Sequence, residues 1–193
     1  MKGIIFVSRW VTAAAIGLIA WASSGLPATA HEYHGVVATR LLATNTPLSE
    51  RDAAFIRETG GEGRAEVRLG ELGQERGQAA AVRTLAKELG KDHSQANEEL
   101  AEIANPKGVD LPTYPSPARQ WEISGLEGIG EGDFDRAFLN ETIRNLYSGI
   151  LAFEKASWEL DNAELAAFAQ KSATMLRHHL WMAEQVARNL GME

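Results

Sequence analysis

Apolar residues recur every three or four positions in four long segments of this chain, which is the spacing of an amphipathic α-helix. The predicted helices run from Ser49 to about Gly77, from about Gln78 to Ala104, from near Gly132 or Asp133 to near Trp158, and from Asp161 or Asn162 to Leu190. The pattern therefore predicts an all-α protein with four long helices.

The ends of the first and fourth helices carry capping signals. Ser49 begins the first helix, and Asp52 follows three residues later in the spacing of a capping box, where Glu is the more usual residue. Asp161 or Asn162 caps the fourth helix, and Gly191 ends it.

Glycines are unusually frequent in the first helix. They stand at positions 60, 61, 63, 70 and 73. Each costs about 1 kcal/mol relative to alanine in a helix interior. Because glycine allows a neighbouring backbone to approach closely, we expect either tight packing of this helix or a kink near Gly60 and Gly61.

The second and third predicted helices are separated by a proline-rich crossing, "NPKGVDLPTYPSP" at residues 105–117. Residues 118–131 fit no single element clearly. Four of their apolar side chains could cover one end of the core: Trp121, Ile123, Leu126 and Ile129.

The two predicted helix pairs resemble each other in sequence. "DAAFIRET" (52–59) and "DRAFLNET" (135–142) share five of eight residues at an offset of 83, and the same offset relates apolar positions of the second and fourth helices. This agreement indicates an internal duplication of a helix hairpin. Two hairpins joined by a long crossing make a ferritin-like four-helix bundle.

The N-terminal residues have the pattern of a signal peptide. Lys2 and Arg9 give a basic start, an apolar run covers residues 10–21, and small residues follow at 28–30. We expect cleavage before His31 and export to the periplasm or the medium; the alternative is an uncleaved N-terminal anchor.

These limits divide the chain into three parts. They are a signal peptide at 1–30, a flexible N-terminal tether at 31–48 and a ferritin-like four-helix domain at 49–191. After the leader, no second apolar run of about 18 residues appears, so we expect no membrane span after cleavage.

Charge and cysteine content exclude several classes of function. Removal of Lys2 and Arg9 leaves 17 basic against 26 acidic residues, a net charge of −9, which argues against nucleic acid or an anionic membrane surface as partner. The absence of cysteine excludes disulfides, thiolate metal sites and cysteine nucleophiles. A protein partner or a homo-oligomer remains compatible with the sequence.

Four separated motifs carry a resemblance to a known family. They are "AEVRLGELGQERG", "KDHSQANEEL", "GDFDRAFL" and "MLRHHLWMAE", in this order. Together they resemble the exported, ferritin-like family called domain of unknown function 4142, over roughly residues 50–188. The resemblance implies a fold and a compartment, and it implies no established reaction.

Three polar side chains are predicted to face the bundle interior. His93 lies at the edge of the apolar stripe of the second helix, and His179 lies near the centre of the stripe of the fourth. On the first helix Glu66 falls within about 20° of Phe55, with Glu62 on its other side. Glu and His on facing helices build metal sites in bundles, so Glu66, His93 and His179 are the candidate ligands of a divalent metal ion.

The third helix weakens the metal hypothesis. Its inner row is apolar: Leu139, Ile143, Leu146, Ile150 and Phe153. The resemblance implies that the position of Leu146 is often histidine in the family, so this chain departs from the pattern there. Tyr147 and Glu154 lie to the side of the row, and no histidine has a glutamate three residues before it, as a di-iron site needs.

The alternative is that His93 and His179 are neutral core histidines, each hydrogen-bonded to a carboxylate or a carbonyl, with Glu66 as one such partner. A third possibility places one of these side chains at the surface. His178 and Asp92 are expected to point away from the stripes.

The mature N-terminus, "HEYH", offers His31 and His34 to a copper or zinc ion, and the alternative is a plain flexible tail. No constellation supports catalysis by a serine or a carboxylate pair, so the sequence points away from an enzyme. Two functions remain: an exported bundle that binds a metal, or a metal-free stress or interaction module of the cell envelope.

Overall fold

The computed structural model describes residues 48–192, and their regular structure is helical throughout. The helices are α1 (Glu50–Arg76), α2 (Ala80–Ala104), α3 (Pro117–Glu127), α4 (Glu131–Glu159) and α5 (Ala163–Asn189), with a single 3₁₀ turn at Asn105–Lys107. The prediction of an all-α helical bundle is confirmed. The predicted signal peptide and nearly all of the predicted tether lie outside the described residues.

The two hairpins pack into a four-helix bundle. α1 pairs with α2 and α4 pairs with α5, while α2 also packs against α5 and α1 against α4. The long connection between the hairpins carries α3, which lies against α1 and α4. We call the end with the α4–α5 turn the lower end and the end with the α1–α2 turn the upper end. Within the described residues, no helix is long and apolar enough to cross a membrane.

The helix ends follow the capping signals in part. The Ser49 hydroxyl accepts a hydrogen bond from the Asp52 N–H, and the Asn162 side chain caps α5, so Asn162 rather than Asp161 fills that role. The Asp52 carboxylate does not complete a capping box. It is buried, and it accepts a hydrogen bond from the backbone N–H of Asp161 at 3.1 Å. Gly191 ends α5 with a positive φ of 69°.

Close helix packing explains the glycines of α1, which runs unbroken through Gly60 and Gly61. A Cβ added to Gly70 would lie 2.7 Å from the Cα of Gly90 on α2 and 2.8 Å from the Ala86 carbonyl oxygen. Only a hydrogen atom fits between the two backbones at this crossing. Of the two expectations for these glycines, tight packing is therefore the one observed.

The ambiguous segment 118–131 contains α3 and the turn into α4. Ile123 and Leu126 are buried in the core and Ile129 packs against it, as expected. Trp121 is 80% exposed, so the expectation that it covers the core was wrong. Two residues turn a helix by about 200°, which places Trp121 on the face opposite Ile123.

Candidate functional site

Two buried histidines face each other across the bundle. His93 on α2 and His179 on α5 are 7% and 0% exposed, and their ring centroids lie 5.8 Å apart. Both sit on the inner stripes of helices that pack against each other, so the prediction that both are buried inside the bundle is confirmed.

The Asp92 carboxylate binds one of these rings. Its Oδ2 lies 3.0 Å from Nε2 of His179, which joins α2 to α5 through a side-chain hydrogen bond. The expectation that Asp92 points away from the interior was therefore wrong, because the side of α2 next to its stripe faces α5 rather than solvent. This contact leaves Nδ1 as the free ring nitrogen of His179.

Two buried ring nitrogens have no hydrogen-bond partner among the described residues. They are Nε2 of His93 and Nδ1 of His179. Buried polar atoms in folded proteins are nearly always paired with protein groups, ordered water or an ion, so these two nitrogens are the candidate binding atoms of the site. The alternative, a core histidine held by hydrogen bonds, agrees with the bond from Nε2 of His179 to Asp92. It does not account for Nε2 of His93, which has no partner among the described residues.

Burial keeps His93 neutral. It lowers the pKa of His93 to about 3, with a further lowering from the charge of His179, while Asp92 acts in the opposite direction. Burial also lowers the pKa of His179, against the hydrogen bond and the charge of Asp92, which raise it. A neutral imidazole is the form that binds a metal ion.

Glu66 pairs with an arginine rather than with a histidine. Its Oε1 lies 2.5 Å from Nη2 of Arg119, a buried side chain that α3 inserts between α1 and α4. Burial raises the pKa of Glu66 to about 7, although Arg119 opposes the shift. Asn145 of α4 joins the same cluster, where its amide nitrogen donates a hydrogen bond to Glu141 at 3.2 Å and its amide oxygen accepts one from Arg119 at 3.0 Å.

Arg119 is the centre of an acidic cluster that the sequence did not predict. Its guanidinium also forms ion pairs with Glu62, Glu122 and Glu141, so that α1, α3 and α4 all supply carboxylates to it. The pairs with Glu62 and Glu66 join residues more than fifty positions apart, and α3 itself was not predicted as a helix. Glu122 is three residues from Arg119 on α3, a local spacing, but no local pattern indicates the carboxylates that α1 and α4 supply.

A cavity of about 520 Å³ opens on the groove between α1 and α4 and reaches the inner faces of α2 and α5. Both Glu66 and His93 line it, whereas His179 stands behind His93 and outside its lining. The cavity therefore brings together two of the three predicted ligands, Glu66 and His93. Among residues 48–192, no group of three or more His, Asp or Glu side chains is placed to hold a metal ion.

The other side chains considered from the sequence lie as follows. Leu146 is buried and lines the cavity, so the inner row of α4 offers no ligand at that position. Tyr147 is exposed and donates a hydrogen bond to Glu184. Glu154 pairs with a surface arginine. His178 is exposed as predicted and stacks on a tryptophan. The histidines of the "HEYH" segment lie outside the described residues.

Comparison with solved structures finds a similar fold in a crystallised protein fragment. The crystal structure of a DUF305 fragment from Deinococcus radiodurans matches with a TM-score of 0.64 and 20% sequence identity, over 75% of this chain and 99% of that one. At this identity the likeness concerns the fold alone. No curated protein matches the sequence.

A family model covers most of the chain. The model described as "Domain of unknown function (DUF4142)" matches residues 38–186, which include the whole of α1 to α4 and nearly all of α5. The match agrees with the resemblance carried by the four sequence motifs, and this chain belongs to the DUF4142 family.

Proposed function

We propose that this protein is an exported, ferritin-like helical bundle that binds a divalent transition-metal ion between α2 and α5. His93 and His179 are the ligands that the geometry favours, and Glu66 is the third candidate. The observation that carries the proposal is the pair of unpaired, buried ring nitrogens on adjacent helices.

The surroundings of the two rings suit a metal ligand set. A ligating histidine usually donates its other ring N–H to a carboxylate, which fixes the orientation of the ring. Asp92 is in position to accept such a bond from Nε2 of His179, and Nδ1 is then free for the ion. Imidazole ligands suit zinc, copper and nickel. A bound ion would polarise a molecule that occupies one of its remaining coordination positions.

Glu66 fits the ion less directly. It lines the same cavity as His93, but its carboxylate is held by Arg119 and its raised pKa leaves it partly protonated near neutral pH. A metal that used Glu66 would have to replace the arginine. We therefore assign the two histidines as the primary metal ligands, and Glu66 as a third ligand that binds only if it leaves Arg119.

Two further features support the ferritin-like and exported parts of the proposal. Two hairpins joined by one long connection form the arrangement on which ferritin-like proteins build metal sites. The first thirty residues have the basic, apolar and small-residue order of a cleaved leader.

Metal analysis of the untagged protein, purified from the exported fraction, tests this function. We expect one transition-metal ion per chain in the wild type and in His178→Ala, and loss of the ion in His93→Ala and in His179→Ala. Intact mass should show a chain that starts at His31. A metal-free wild type, or retention of metal in both buried-histidine variants, would contradict the proposal.

A second candidate is a metal-free interaction module of the cell envelope. The outer face of α4 exposes Tyr147, Leu151 and Trp158, three large side chains whose spacing of four and seven residues places them along one stripe. Exposed apolar stripes of this kind mark contact surfaces. Absence of metal from the native protein would favour this function over the first.

A further inference from the structure

The groove between α1 and α4 is occupied by α3 at one end and opens into the cavity at the other. α3 lies against the upper half of the groove between α1 and α4, where Arg76 of α1 donates hydrogen bonds to the carbonyl oxygens of Leu126 and Ile129 at the end of α3. Below Arg119, the same groove opens into the cavity of about 520 Å³. This volume falls within the range of small-molecule sites, which is about 300–1,000 Å³.

The lower part of the cavity holds an aromatic cluster, and the exposed side chains of Arg51, Lys155 and Glu159 also lie on its lining. Phe55, Phe153 and Phe168 meet there in edge-to-face contacts, with ring centroids 5.9 to 6.4 Å apart. Small side chains of α4, among them Ala152 and Ala156, form the wall beside them. An aromatic guest ring can join such a cluster with the same edge-to-face geometry.

A row of carboxyl groups follows the α1 side of the cavity. Glu58, Glu62 and Glu66 stand four residues apart and therefore lie above one another on the helix. Arg119 forms ion pairs with Glu62 and Glu66, and burial still raises the pKa of both carboxyls. Glu58 forms no ion pair within residues 48–192, and its charge raises the pKa of Glu62 further.

One buried amide lines the cavity beside this row without a partner. Asn97 of α2 is 6% exposed, and its Nδ2 has no hydrogen bond among the described residues. A Cβ added to Gly63 would lie 2.1 Å from Oδ1 of Asn97, so the amide lies directly against α1 between Glu62 and Glu66. An ammonium group is itself a donor, so Asn97 binds it only with the amide turned over, which puts Oδ1 in the place of Nδ2.

We infer that this cavity binds a small organic amine, with an aromatic body against the three phenylalanines and an ammonium group among Glu58, Glu62 and Asn97. The aromatic cluster provides the apolar contact, and the carboxyl row selects a cation over a neutral or anionic head. The inference does not depend on the proposed metal, because it uses neither ring nitrogen of His93 or His179.

Calorimetric titration of the full mature protein with three probes tests the inference, with EDTA present to remove any metal. Phenylbutylamine, phenylbutanol and phenylbutyrate share an aromatic body and differ in the charge of the head. We expect the amine to bind at least about tenfold more tightly than the other two. Equal affinity for the three probes, or no binding of the amine, would overturn the inference.

Three variants locate the binding. Ser172→Leu, a buried position on α5 that lines the cavity, should abolish binding of the amine by filling the space. Glu62→Gln, at a position half exposed to solvent, should reduce the preference for the amine to threefold or less without changing the fold. Glu75→Gln makes the same change of charge on α1 outside the cavity and should bind like the wild type. If Glu62→Gln keeps the full preference, the carboxyl row does not select the head group, and the inference fails even if Ser172→Leu is unfolded.

Discussion

Asp52 and Asp135 make equivalent hydrogen bonds, because each carboxylate accepts from the backbone of the turn in the opposite hairpin. The Asp52 carboxylate accepts from the backbone N–H of Asp161 at 3.1 Å, in the turn before α5. The Asp135 carboxylate accepts from the N–H groups of Gln78 and Ala79, both at 2.8 Å, in the turn before α2. The offset of 83 that relates the two halves of the sequence maps Asp52 onto Asp135 and Gln78 onto Asp161. The first helix of each hairpin thus holds the turn of the other hairpin.

Removal of either carboxylate should destabilise the protein. Asp52→Ala and Asp135→Ala each leave backbone N–H groups at a helix start without an acceptor, a loss that costs about 1–2 kcal/mol. Asp52→Ala should cost more because Asp52 is more deeply buried. Urea denaturation measures both, with the exposed Asp110→Ala as a control within about 0.5 kcal/mol of the wild type. Wild-type midpoints for both variants would show that the two contacts do not hold the hairpins together.

The fold was readable from the sequence because its determinants are local or periodic. Apolar spacing sets the four long helices, and Ser49 and Gly191 set two of their ends. The repeated "DAAFIRET" motif indicated two equivalent hairpins. The glycines of α1 indicated a close crossing but not its partner, because Gly90 lies twenty residues away on another helix.

The candidate site was only partly readable. His93 and His179 follow from their places on two stripes. The pairing of Glu66 with Arg119 could not be foreseen, since the position of α3 depends on tertiary contacts of the long connection. Asp92 was misplaced because a helical wheel gives angles around one helix and does not show where its neighbour stands.

The crossing of α1 and α2 should tolerate no side chain. In Gly70→Ala the new methyl group would lie under 3 Å from backbone atoms of α2, which cannot move aside cheaply, so we expect strong destabilisation. Gly61→Ala is the matched control, because a Cβ there meets no atom within 4 Å. It should raise the free energy of unfolding by about 0.4–1 kcal/mol. Thermal denaturation compares the two variants, and equal melting temperatures would contradict the observed crossing.

His93 should make the protein sensitive to acid. Its pKa of about 3 in the folded state lies below the ordinary 6.5, so below pH 6.5 the unfolded chain binds a proton that the folded chain does not. This difference in proton binding lowers the free energy of unfolding progressively from about pH 6.5 toward pH 3. The His93→Leu variant has no imidazole to protonate at this position. The stability of the variant relative to the wild type should therefore rise as the pH falls through that range.

Glu66 should have the opposite effect on the pH dependence of stability. Its raised pKa of about 7 gives stability that is fully present below the ordinary value of 4.5 and is lost as the pH rises through 7. The advantage of the wild type over Glu66→Gln should therefore shrink between about pH 4.5 and pH 7. Urea denaturation at several pH values measures both variants. Curves parallel to that of the wild type would show that neither group is buried as described.

A histidine at position 146 should strengthen metal binding. Leu146 lines the same cavity as His93, so Leu146→His adds a third imidazole near the proposed site and should raise the affinity for zinc. The metal-free variant should lose about 1.5–3 kcal/mol of stability with the buried leucine. Leu151→His, on the exposed face of α4, is the control and should leave zinc affinity unchanged. No gain for Leu146→His in a calorimetric titration would count against a site at this level of the bundle.

Anomalous diffraction from crystals grown with zinc tests the central claim most directly, because it locates the ion rather than counting it. The account predicts one strong peak between α2 and α5, within bonding distance of Nε2 of His93 and Nδ1 of His179. The peak should be absent from crystals of His93→Ala grown under the same conditions. Zinc found only at the exposed His178 or at the N-terminal histidines, with none between the buried rings, would contradict the account.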